Sequence, residues 1–144
     1  MVQIAANKTL LIPPAAWLVA QVLKTIIEIL KEKRLDMRCM VRAGGMPSAH
    51  ASLVCALATT AGILHGLDSG VFAVSVILAG VVMYDATGVR QAVDKQSAIL
   101  STLLTEFPRT HLEFERFLRE LVGHTRFQVL AGAILGVCLA VWWT

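Results

Sequence analysis

The sequence predicts an all-α integral membrane protein, a helical bundle of about four spans with a short amphipathic helix before the last span. Three observations carry this. Of 144 residues, 56% are hydrophobic and 16% are charged, against roughly 25% charged in soluble domains, and mean hydropathy is +0.68. The charges also leave long gaps, with no Asp, Glu, Lys or Arg at 9–23, 43–67, 69–84 or 127–144. Each gap approaches the ~20 residues that a bilayer requires. Finally, Lys and Arg gather in the segments between apolar blocks, as topology signals do. A chain of this length holds one domain, 1–144, and its composition excludes a disordered chain, a disulfide scaffold and a coiled coil.

The first apolar block runs from about Pro14 to Leu30, with the Pro13-Pro14 pair suited to a helix start. No basic n-region or cleavage site precedes it, so it is expected to be retained as a membrane helix. The second block runs from about Pro47 to Leu67 and closes in a turn at Gly66, Asp68, Ser69 and Gly70. The third begins near Val71, stays apolar to Tyr84, and continues as a helix to about Leu104 before Pro108. His111 to Val122 has the spacing of a short amphipathic helix. The fourth block runs from about Phe127 to Trp143, and Trp142 and Trp143 suit a membrane interface. Cys39, Cys55 and Cys138 are odd in number and are expected to act as small apolar fillers.

The net charge of +3 and pI near 9.0 come from loops beside apolar blocks. Few aromatics are present and none interleaves with the basic run, so nucleic-acid binding is not expected. Lys31, Lys33, Arg34, Arg38 and Arg42 occupy one loop, and Arg90, Lys95, Arg109, Arg116, Arg119 and Arg126 follow the third block. Four spans put both groups on one face, which the positive-inside bias makes cytoplasmic, with both termini outside.

Four pieces meet on that face. They are Gly44-Gly45-Met46-Pro47-Ser48-Ala49-His50, Tyr84-Asp85-Ala86-Thr87-Gly88-Val89-Arg90, Gly123-His124-Thr125-Arg126 and the basic loop. His50 and His124 stand at helix starts, where free N–H groups and the positive dipole end favour an anion. Gly45 lets the backbone approach a ligand, Ser48 offers a hydroxyl, and Arg38, Arg42 and Arg90 suit phosphate. Two histidines at an anion site suggest a nucleophile and a general acid. Gln21, Lys24 and Glu28 share one helical face inside the first block, where ionisable groups turn to the bundle interior. An internal Lys–Glu pair is the structural reading of that face. Asp85 is expected to pair with Arg90 or Lys24.

Pro47-Ser48-Ala49-His50 resembles the Pro-Ser-Gly-His motif of the phosphatidic acid phosphatase type 2 superfamily, which includes the vanadium haloperoxidases. His124-x-x-x-Gln128-Val129-x-x-Gly132-x-x-x-Gly136 resembles that superfamily's last motif. Gly-Gly-Met-Pro-Ser-x-His, Tyr-Asp-Ala-x-Gly-Val-Arg and Leu-x-Gly-His-Thr resemble its divergent branch of small membrane proteins, over about Trp17 to Gly136. The resemblance implies a phosphatase that hydrolyses a lipid phosphate or pyrophosphate without metal or cofactor. It makes His124 the nucleophile that forms a phosphohistidine and His50 the acid for the leaving oxygen. Ser48, Gly45, Arg38, Arg42, Arg90, Lys24 and Lys31 would hold phosphate, Gln128 would orient His124, and Asp85 would orient Arg90 or Lys24.

The chain departs from the superfamily at several positions. Gln128 stands where an Asp usually orients the nucleophile, Leu118 stands where an Arg is expected, and Cys39 follows Arg38 in place of Pro. With about four spans instead of six, a homo-oligomer or partner is an open expectation. A non-catalytic binder of phospholipid headgroups and a small transport or assembly subunit are the alternative functions.

Overall fold

The computed structural model describes residues 7–32, 45–104 and 124–144, with backbone alone at 31–32, 88–95 and 97–104. Every regular element described is helical. They are α1 (Lys8–Glu32), α2 (Ala49–His65), α3 (Gly70–Leu104) and α4 (Arg126–Trp143). Lys8–Leu30, Gly70–Thr87 and Arg126–Trp143 are long and apolar enough to cross a membrane. The fourth apolar helix, α2, has 17 residues, the lower limit for a span, and it is the central one, packed against all three others. The basic segment 33–44 and the amphipathic stretch 111–122 lie outside the described residues.

The helices pack through small residues at a spacing of four. Ile12, Ala16, Ala20 and Lys24 form the buried row of α1, and Ser48, Ser52, Ala56 and Thr60 that of α2. Gly132, Gly136 and Ala140 form the row of α4. A spacing of four keeps one helix face in line, and small side chains let backbones approach closely. A Cβ on Gly132 would overlap the Ser48 carbonyl oxygen, and one on Gly136 the Ser52 carbonyl oxygen. Ser52 Oγ donates across to the Ala16 carbonyl at 3.2 Å. Large side chains such as Leu18, Ile77, Val81, Phe127 and Val141 face outward. This arrangement, small and polar inside with large apolar groups outside, is the one lipid as solvent favours, since lipid tails solvate Leu as well as a core does.

α1 starts earlier than the proline pair suggests. Asn7 caps it, its Oδ1 accepting the Leu10 N–H at 3.3 Å, and Pro13 and Pro14 fall inside the helix. Each proline removes one backbone bond of the second turn, and membrane helices tolerate such losses. The far end of the bundle is closed by Lys8 Nζ donating to the Thr144 carbonyl at 2.7 Å and by Thr9 Oγ1 against His65 Nε2 at 3.2 Å. Trp142 and Trp143 stack there, with centroids 6.2 Å apart. Helix α3 rests on α2 through Phe72 against Gly62 and Cys55 Sγ against Met83 Sδ at 3.8 Å. Cys55 and Cys138 are free thiols.

Candidate functional site

The site lies at the opposite end, where α2 and α4 begin. Ser48 caps α2, its Oγ accepting the Ala51 N–H at 3.4 Å. Thr125 caps α4 in a reciprocal box. Thr125 Oγ1 accepts the Gln128 N–H at 3.2 Å, and Gln128 Oε1 accepts the Thr125 N–H at 2.8 Å. The two starts are joined by the Ser48 N–H donating to the Gln128 carbonyl at 3.0 Å. The His124 N–H donates to the Ala86 carbonyl of α3 at 3.1 Å. Three helices thereby fix the backbone on either side of the histidines.

His50 and His124 meet here, with ring centroids 6.1 Å apart and planes at 61°. His50 is exposed, whereas His124 is 7% exposed and its Nδ1 is buried without a hydrogen-bond partner among the described residues. Burial holds the His124 pKa below its ordinary 6.5, and the charges of His50 and Lys24 push the same way. The Gln128 side chain and the Gly45 backbone oppose them. The neutral ring is therefore the favoured form near neutral pH, and a neutral imidazole is the nucleophilic one.

Lys24 reaches this end from α1 and is 2% exposed. Gly45 sits against it at φ +87°. A Cβ there would lie 2.7 Å from Lys24 Cε and 3.2 Å from Glu28 Oε1. The positive φ and the close approach both call for glycine. Two helix N-termini and a buried ammonium make this end attractive to an anion.

The other expected site residues are placed less directly. Ser48 is fully buried and is used mainly as a cap. Gln128 serves the capping box while standing close enough to His124 to favour its protonated ring. Asp85 is exposed on α3, one residue before the carbonyl that holds His124. Lys31 and Arg90 are described by backbone alone, on α1 and α3. Arg38 and Arg42 lie outside the described residues. Among the described residues, no three His, Cys, Asp or Glu side chains converge as a metal site requires. Sequence reasoning did not find the Ala86 carbonyl or the contact of Glu28 with Gly45. Only the serine in the sequence Ser48-Ala49-His50 and the threonine in His124-Thr125 carried a local signal, as helix caps.

A family profile described as the divergent PAP2 family matches residues 5–139. The chain is also 36% identical over 150 aligned residues to "Uncharacterized membrane protein YuiD" of Bacillus subtilis (strain 168), covering 96% of this chain and 95% of that one. No solved structure matches the chain.

Proposed function

The chain belongs to the divergent PAP2 family, and from that membership and the paired histidines we propose that it is a membrane phosphatase for a lipid phosphate or pyrophosphate. The observation that carries the reading is the 6.1 Å pairing of an exposed His50 with a buried His124 at the joined starts of two helices. A neutral ring nitrogen of His124 attacks phosphorus, and the bond from phosphorus to the leaving oxygen breaks. Protonated His50 gives its proton to that oxygen. Water then attacks phosphorus and gives a proton to His50, the phosphorus–nitrogen bond breaks, and phosphate and His124 are freed. Helix N-termini and Lys24 hold the remaining oxygens, which carry the negative charge. No step calls for a metal. An amphiphilic substrate suits the site, since its head reaches the polar end while its tail stays among the outward Leu, Ile and Val side chains. Lys24, Arg126 and the backbone of Lys31 and Arg90 fall at or beside this end, and among the described residues Lys8 is the one Lys or Arg at the other. We therefore place the site on the cytoplasmic face.

The test is phosphate release by detergent-purified protein from phosphatidic acid, phosphatidylglycerol phosphate and polyprenyl pyrophosphate, with EDTA present. The reading expects turnover that survives EDTA and is lost in His50→Ala and His124→Ala. Wild-type rates in a folded His124→Ala sample would refute it. A second reading, a headgroup binder without turnover, is favoured by Gln128, whose Oε1 is committed to the Thr125 N–H. No carboxylate then backs the His124 imidazolium from that position. Tight lipid binding without phosphate release would decide for it.

A further inference from the structure

The proposed mechanism leaves Glu28 unused. This residue stands one helical turn beyond Lys24 on α1. Its Oε2 is buried and has no hydrogen-bond partner among the described residues. Its Oε1 lies 3.2 Å from where a Cβ on Gly45 would be, and the Gly45 backbone in turn acts on the His124 ring. One residue, Gly45, therefore separates the carboxylate from the nucleophile. A buried carboxylate oxygen without a donor is costly, and native structures leave few such groups without a reason. Carboxylates only accept hydrogen bonds, so the missing partner must be a donor. An ionised phosphate offers none and repels the carboxylate. A hydroxyl on the headgroup beside that phosphate offers one without adding charge.

Resting on the reading that this site takes a lipid phosphate, we propose that Glu28 accepts a hydrogen bond from a headgroup hydroxyl and sets substrate preference. Lys24 then attracts the phosphate and Glu28 reads its neighbour. The site favours phosphorylated lipids whose headgroup carries a hydroxyl over those ending in a bare phosphate.

The test uses full-length protein in nanodiscs with two lipids of identical acyl chains. Phosphatidylglycerol phosphate carries the glycerol hydroxyl, and phosphatidic acid lacks it. Both phosphate release and equilibrium binding are read. The wild type should prefer the hydroxyl-bearing lipid by about tenfold or more, as a hydrogen bond to a charged group allows. Glu28→Gln should bring the ratio towards one, chiefly through KM. Glu28→Asp, which keeps the charge but withdraws the oxygen, should also reduce it, and serves if the Gln variant fails to fold. Equal use of both lipids by the wild type would overturn the proposal, as would a preference unchanged in both variants. Preferential binding without any turnover would sustain the role of Glu28 while refuting hydrolysis. Failure to bind either lipid would refute both.

Discussion

Replacing Gly132 with Ala adds one methyl group where α4 meets α2. The new Cβ would overlap the Ser48 carbonyl oxygen and lie 3.0 Å from both the Ser48 carbonyl carbon and its nitrogen. These are backbone atoms, so no side chain can swing aside. Ordinary carbon contacts sit at about 3.5–4.0 Å, so the two helices must part by on the order of 1 Å. Overpacking of this kind costs about 1–3 kcal/mol. The separation also pulls on the bond from the Ser48 N–H to the Gln128 carbonyl, 3.0 Å long, and this bond sets the His50 end of α2 against the His124 end of α4. A displacement of about 1 Å between reacting groups costs on the order of a hundredfold in rate. Gly132→Ala should therefore unfold at lower temperature in detergent and release phosphate about a hundredfold more slowly. Gly80→Ala is the control, since nothing lies within 4 Å of its added Cβ. It should stay within about 1 kcal/mol of the wild type. Wild-type stability and activity in Gly132→Ala would refute the reasoning that close α2–α4 packing positions the histidines.

Three further outcomes follow from the same geometry. His124 is held below its ordinary 6.5 by burial, then by His50 and Lys24. The unfolded chain thus takes up this proton before the folded one does as pH falls, so His124 adds full stability above 6.5 and loses it below that value. Thermal unfolding from about pH 8 to about pH 5 should show the decline, and His124→Gln should flatten it. Lys24→Met removes a charge that disfavours protonated His124, so the acid limb of the rate profile should move to higher pH while KM for the lipid rises. Gly45→Ala forces a side chain to φ +87° against Lys24, which costs about 1–2 kcal/mol. Its lipid KM should rise about tenfold, measured by phosphate release.

Much of the fold was legible because lipid imposes a simple code. Charge gaps marked the helices, and α3 is helical from Gly70 through Leu104, the stretch its pattern covers. The Pro13-Pro14 pair misled because it speaks for the backbone bonds it removes, while the helix start was set by Asn7, six residues before Pro13. The histidines were legible because each stands at the start of an apolar block, within a motif that resembles one of the superfamily's. Lys24 was legible as a charge within one. The rest is non-local. Periodicity along α1 says that Lys24 and Glu28 share a face, yet not that Gly45 presses on both. Nothing near Ala86 says that its carbonyl receives the His124 N–H. The three rows of small residues are visible in each helix separately, but their pairing of Gly132 with Ser48 and Gly136 with Ser52 arises only when the helices meet.

The central claim is that His124 carries phosphate through a covalent intermediate. Radiolabelled lipid phosphate, mixed briefly with protein and quenched in alkali, would trap it, because a phosphorus–nitrogen bond survives alkali and is lost in acid. Fragment mass spectrometry would then locate the label. The account predicts acid-labile phosphate on His124 and none in His124→Ala. Rapid turnover with no labelled protein, or with label on another residue, would contradict it.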